Sequence, residues 1–118
     1  MTSSRLPDYV AHMRQAIADA QSFTESMAPL DFEQDKRTQQ AVVMSLIVLG
    51  EAATKVMDKY PEFAAQHAVI PWHNMRGMRG MRNRIAHGYF DIDLVVVWDT
   101  LQTAHPTLKV QLCALVLE

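Results

Sequence analysis

From Val42 to Ala53 the chain is apolar on nearly every side of a helical projection. A helix of that kind has to be buried by neighbours or by a second subunit, so the remaining segments must pack around it. Val10, Met13, Ile17, Ala20 and Met27 recur at steps of three, four or seven. That spacing predicts a first helix from about Pro7 to Met27, with Pro7 in its first turn and Pro29 blocking continuation. The central helix is expected from about Phe32 to Tyr60, ended by Pro61, and Glu62 to Ile70 reads as a short turn of helix or a loop. Pro71 opens a third helix from about Trp72 to Ala86, with Gly88 placed to cap it. Gly77 and Gly80 each weaken that helix by roughly 1 kcal/mol relative to Ala, so tertiary contacts must hold it. Leu94 to Trp98 is rich in β-branched residues, which favour a strand locally, but no other segment offers a partner strand. Asp91 or Asp93 can cap a helix there, continued by Trp98, Leu101 and Ala104. Pro106 should break it before a last helix from about Thr107 to Leu117. With only four glycines and five prolines over 118 residues, the expectation is an all-α chain. It forms a single domain over residues 1–118, an antiparallel bundle of four or five helices.

Composition narrows the function classes. Hydrophobic residues at 49% and charged residues at 20% describe a folded globule rather than a disordered chain. A formal charge of −2 excludes a protein that is basic all over, though not a local basic patch. The single cysteine, Cys113, has no partner for an internal disulfide, and its apolar surroundings (Val110, Leu112, Ala114, Leu115) mark it as a small core residue. The N-terminus lacks the apolar stretch of a signal peptide, and Ala41 to Gly50 is about half of what crosses a bilayer. A soluble chain of a reducing compartment, the cytoplasm, with no membrane association, is expected. His67 and His73 stand six apart across Pro71 without a carboxylate pair, and no HExxH or CxxC occurs, so no metal is expected. Met75, Met78 and Met81, three apart, read as core or interface filler.

The chemically unusual stretch runs from Arg76 to Tyr89. Four of the eleven basic residues, Arg76, Arg79, Arg82 and Arg84, fall within nine positions. On a continuous helix Arg76, Arg79 and Arg82 follow one another along one stripe. Such stacked like charges are tolerated more readily opposite an anion or a carboxylate such as Glu51. A solvated face or an ion-pair network is the plain explanation. Phosphate recognition is the sharper one, since arginine's planar fork matches phosphate oxygens. His87 tips the balance. Asn83 and His87 share a helical face, so Asn83 can orient the imidazole, whereas Arg82 lies about 140° round and needs its long side chain to meet the same ligand. A histidine between a helix end and several arginines is suited to acid–base work near neutrality.

The segment Arg82-Asn83-Arg84-Ile85-Ala86-His87-Gly88-Tyr89 fits the R-x4-H-x-Y signature of the HEPN superfamily and resembles its HepT-like toxins in particular. Ile70-Pro71-Trp72 before it and Phe90-Asp91-Ile92-Asp93 after it agree. Leu49-Gly50-Glu51-Ala52 resembles the Gly-Glu-Ala turn of the family's second helix. The likeness runs over nearly the whole chain in helix order. An extra Arg79-Gly80, resembling a duplicate of Arg76-Gly77, leaves open which arginine besides Arg82 meets RNA.

The resemblance implies a helical HEPN bundle that dimerises and cuts RNA as a metal-independent endoribonuclease, with no cofactor. Arg82 and His87, assisted by Asn83, would be catalytic, with Arg76, Arg79 and Arg84 binding RNA and Glu51 supporting Arg82. It also implies a toxin–antitoxin pairing with a small nucleotidyltransferase that silences the nuclease by transferring AMP to Tyr89. A non-catalytic HEPN module that binds RNA or nucleotide, or scaffolds the nucleotidyltransferase, is the alternative. A plain helical interaction protein would leave the arginine cluster without a purpose.

Overall fold

The computed structural model describes residues 5–87 and 92–115. Seven helices are found among them and no strand: α1 (Leu6–Phe23), α2 (Pro29–Gln34), α3 (Lys36–Lys59), α4 (Pro61–Gln66), α5 (Trp72–Met78), α6 (Met81–His87) and α7 (Leu94–Cys113). The all-α bundle is as expected, but three long helices and four short ones replace the four or five. α3 is the hub. It packs against α1 most extensively and against α5, α4, α2 and α6, while α7 lies on α1 and α2.

Val42, Val43, Leu46, Leu49, Ala53 and Val56 of α3 are fully or almost fully buried. They divide between two cores. Leu49 to Val56 join Val10, Met13, Ile17, Ile70, Trp72, Met75, Leu108 and Leu112. Val42 to Ile47 join Phe32, Ile92, Val97 and Leu101, and half-buried Met78 packs against both. By length and composition α3 could cross a membrane, but 61% of its most apolar window is buried inside the bundle.

Where helix boundaries differ from the sequence expectation, local chemistry explains them. α1 stops at Phe23, and Thr24 turns its hydroxyl back onto the Ala20 carbonyl. Pro29, expected only as a stop, starts α2. The helix expected from Phe32 to Tyr60 is divided at Asp35. Its carboxylate accepts from the Thr38 backbone N–H (3.1 Å) and hydroxyl (2.7 Å), capping α3, and those bonds hold its pKa below the usual carboxylate value. The amide of buried Gln39 donates to the last carbonyls of α2, at Phe32 and Glu33 (2.7 and 2.9 Å).

Asp93 accepts from the N–H groups of Val95 and Val96 and starts α7. Pro106 does not break that helix, although an interior proline costs about 3 kcal/mol. Val97, Leu101, His105, Leu108 and Leu112 form one unbroken buried stripe across it, and packing of that stripe outweighs the lost hydrogen bond. The same stripe turns Cys113 outward, so the cysteine is exposed and not a core residue. Arg14 of α1 donates to the carbonyls of Leu112 and Leu115 (2.9 and 3.1 Å), closing the C-terminal end of α7.

The helix expected from Trp72 to Ala86 breaks at Arg79-Gly80 into α5 and α6. The cause lies on α3. A Cβ on Gly50 would stand 2.6 Å from the Arg79 backbone nitrogen and 2.7 Å from the Met75 carbonyl oxygen. Only a glycine lets the α5–α6 junction lie directly on α3.

Two stability predictions follow from this packing. Gly50→Ala should destabilise by about 1–3 kcal/mol, because the clashing atoms are backbone and cannot swing aside. Gly77→Ala, where an added Cβ meets nothing within 4 Å, should instead stabilise by roughly 0.5–1 kcal/mol through helix propensity. Urea midpoints for the two variants should therefore move in opposite directions. The second concerns His105, which is 1% exposed with neither ring nitrogen hydrogen-bonded. Burial pushes its pKa down from 6.5 to about 4. Above pH 6.5 the ring is neutral in both states. As pH falls from 6.5 to 4 the unfolded chain takes up a proton that the folded one refuses, so stability is lost, by about 3 kcal/mol in all. Unfolding free energies measured at pH 7 and pH 4 should show that fraction of the acid loss disappearing in His105→Leu.

Candidate functional site

Two ion pairs seat the arginine segment on α3. Glu51 and Asp58 lie seven residues apart, two turns along one side of that helix. Arg82 Nη2 stands 2.7 Å from Glu51 Oε1, and Arg76 Nη2 stands 2.5 Å from Asp58 Oδ1. The later arginine meets the earlier carboxylate, so α5 and α6 run antiparallel to α3. These pairs are largely solvated, with the Arg82 side chain 66% exposed. Each contributes at most about 1 kcal/mol, and their effect is to fix geometry.

The single arginine stripe expected from sequence does not form, because the helix is interrupted at Arg79-Gly80. Arg76 is half-buried against Asp58, and its Nε has no hydrogen-bond partner. Arg79 is exposed at the turn between the two ion pairs, where its N–H donates to the Arg76 carbonyl. Arg82, Asn83 and Arg84 are exposed in consecutive positions at the start of α6, so they fan out around the helix. His87 closes α6, five residues and about 7.5 Å of rise beyond Arg82; its side chain lies outside the described part of the chain. Gly88, Tyr89 and Asp91 lie outside the described residues. The structure thus brings together Arg82 and Glu51 directly, and sets Arg76 and Arg79 along the same edge of α3.

A groove of about 400 Å³ begins at the Arg82–Glu51 pair and runs between α1 and α3. Met44 and Val48 line it on α3, Tyr9 and His12 on α1, and Lys55 stands at its mouth. His12, Met44 and Val48 also border a second trough of about 380 Å³ that reaches Phe23. Met44 is 58% exposed, Phe23 43% and Val48 38%, so an apolar strip adjoins the charged end of the groove.

Asp58, Lys55 and His12 were not singled out in the sequence. Asp58 had a legible signal, since its seven-residue spacing from Glu51 nearly matches the six-residue spacing of Arg76 and Arg82 across the glycine turn. Neither Lys55 nor His12 carries a motif: Lys55 stands one turn past Glu51 on α3, and His12 enters the groove only through the packing of α1 on α3. The remaining histidines lie elsewhere. His67 Nδ1 is 2.8 Å from the Phe63 carbonyl and its ring lies 4.3 Å from that of Phe63, while His73 is exposed on α5. No cluster of three or more His, Cys, Asp or Glu residues able to hold a metal occurs among the described residues.

Comparison with known proteins covers nearly the whole of this arrangement. Residues 13–115 match the family described as "Ribonuclease HepT-like". The chain is 36% identical over 102 residues to a protein of Thermococcus cleftensis named "Probable ribonuclease HepT", covering 86% of this chain and 87% of that one. It is 34% identical over 94 residues to a "Putative RNase" of Methanocaldococcus jannaschii, covering 80% and 69% of the two chains. A "Putative RNase" of Caldanaerobacter subterraneus is 29% identical over 103 residues, 87% of each chain. No solved structure matches. With the arginine segment, its carboxylate clamp and the helix order all inside the matched span, the chain belongs to the HepT-like ribonuclease family of the HEPN superfamily.

Proposed function

We propose that this chain is a metal-independent endoribonuclease, the toxin of a toxin–antitoxin pair, and that its site is completed by a second copy. The observation that carries this is the fixing of Arg82 by Glu51 at the mouth of an open groove, one helix length from His87. Cutting RNA without metal needs a base, an acid and a cation. The ribose 2′-oxygen, losing its proton to the base, attacks phosphorus. The bond to the 5′-oxygen breaks, and that oxygen takes a proton from the acid, leaving a cyclic phosphate and a free 5′-hydroxyl. Arg82 supplies the charge that stabilises the pentacoordinate phosphate, and Glu51 keeps its fork facing the groove. Asn83, four residues before His87, orients the imidazole, and Arg76, Arg79 and Arg84 hold flanking phosphates.

One chain provides one motif histidine, whereas the reaction uses two proton-transfer groups. A two-fold dimer over the Phe23–Met44–Val48 strip would bring two Arg82/His87 motifs to one cleft. The apolar strip supports this, because large exposed apolar patches beside a polar rim mark interaction surfaces. The off-switch is AMP transfer to Tyr89. The phenol oxygen attacks the α-phosphorus of ATP, pyrophosphate leaves, and the added negative charge and bulk stand two residues from His87, where a phosphodiester must bind.

On single-stranded RNA in the presence of a chelator, the wild-type chain should give products ending in cyclic phosphate. Arg82→Ala should lose about 10²–10³-fold and His87→Ala about 10²–10⁴-fold. Tyr89→Phe should cut normally but escape silencing by a nucleotidyltransferase with ATP. A folded wild-type protein that leaves RNA intact would instead be the non-catalytic HEPN module. The dimer is checked separately. Met44→Glu/Val48→Glu should sediment as a monomer and lose more than about tenfold in rate, since a lone chain lacks one of two proton-transfer groups. A monomeric double variant with full activity would sink the composite site.

A further inference from the structure

Along the exposed side of α3 the order Glu51, Lys55, Asp58 places a lysine between two carboxylates, four and three residues away. In an isolated helix Glu51 and Lys55 would pair. Here both carboxylates are taken, Glu51 by Arg82 and Asp58 by Arg76. Lys55 is exposed and has neither an ion pair nor a side-chain hydrogen bond among the described residues. The clamp that seats the arginine segment has thereby stripped a cation of its counter-ions, at the mouth of the groove that holds Arg82.

We infer that Lys55 is a further RNA-binding residue, gripping the phosphate next to the one at Arg82, while the α1–α3 groove receives the attached nucleoside. The inference rests on the ribonuclease reading above and adds to it a contact outside the motif. Three features of the site carry it. Lys55 follows Glu51, the anchor of Arg82, by about one helical turn of 5.4 Å, comparable to the step between successive phosphates of a single strand. A lysine ammonium is a compact charge able to follow a flexible backbone, whereas the planar fork of Arg82 fits one phosphate in one orientation. The groove's volume of about 400 Å³ suits a ligand of nucleoside size, and the exposed His12 ring on α1 offers the base a surface to stack on. An ordinary solvated lysine is the competing explanation. Exposed Lys109 on α7, away from the groove, supplies that comparison.

The test measures binding of a labelled single-stranded RNA to the full chain carrying His87→Ala, which keeps the RNA uncut, across a series of salt concentrations. Adding Lys55→Ala should weaken binding about fivefold near 0.1 M salt and reduce the slope of log K against log salt by about 0.7, the release of one phosphate's counter-ion. Lys55→Arg should restore both, and Lys109→Ala should change neither. If Lys55→Ala behaves like Lys109→Ala while RNA still binds and the wild-type chain still cuts, this inference fails alone. If the His87→Ala chain does not bind RNA and the wild-type chain does not cut it, the ribonuclease reading fails and takes Lys55 with it.

Discussion

The contact between Gly50 and the α5–α6 junction sets the position of everything that follows it in the chain. Helices normally pack 8–10 Å apart because side chains stand between them. At Gly50 there is no side chain, and the Arg79 nitrogen and Met75 carbonyl occupy the place where a Cβ would be. That close approach brings a run of four arginines down onto a helix that carries half-buried Glu51 and exposed Lys55 and Asp58 just beyond Gly50. The two ion pairs then work as stops on either side. Both are solvated and worth little in stability, so the free energy holding the segment comes from Trp72 and Met75, buried in the first core, and from Met78, packed against both cores. The apolar contacts supply the affinity of the segment for α3 and the ion pairs supply its register.

Burial and position thus divide the labour. Arg79, Arg82 and Arg84 keep their charge in water, which avoids the cost of desolvating a cation, and only Arg76 is half-buried, against Asp58. Arg82 is anchored by a single carboxylate oxygen at 2.7 Å and remains 66% exposed, so a phosphate can share its fork without breaking the anchor. A buried, doubly bonded arginine would be more rigid and less available. The most deeply buried histidine among the described residues, His105, lies on α7 between Leu101 of one core and Leu108 of the other. Its charge state bears on the stability of the bundle and not on the cleft.

Much of this was legible in the sequence, and the remainder was not for identifiable reasons. The all-round apolar run from Val42 to Ala53 specified a central helix, and the arginine run with Glu51 opposite specified the edge on which a site would form. The helix class of Leu94 to Trp98 was legible because Asp93 could cap it and no partner strand existed. Boundaries failed where local and tertiary signals disagreed. Pro106 is a helix breaker by its own chemistry, but a five-residue buried stripe overrides it. Gly77 and Gly80 look alike in sequence, yet the break follows the backbone contact with Gly50, a residue some thirty positions away. Cys113 has apolar neighbours on both sides, and burial goes instead to the residues that share the phase of Leu112. His12 becomes a neighbour of the site only once α1 lies on α3, which no linear motif encodes, whereas Lys55 stands one turn past Glu51 on α3 itself.

Charge distribution shows why a chain of net charge −2 can still present a cationic edge. Arg76, Arg79, Arg82, Arg84 and Lys55 set five cations against the two carboxylates Glu51 and Asp58, an excess of three, so the rest of the chain carries a formal charge of −5. A polyanion approaching at random is repelled by most of that remainder and attracted to this edge, and the contrast orients it there. Within the edge the two carboxylates are not idle losses. By engaging Arg76 and Arg82 they spread the remaining positive charge onto Arg79, Arg84 and Lys55, residues free to meet successive phosphates rather than one. Site selection on the proposed RNA is then a matter of which nucleoside the apolar groove between α1 and α3 accepts once the backbone is held, since phosphate contacts position a strand and carry no sequence information of their own.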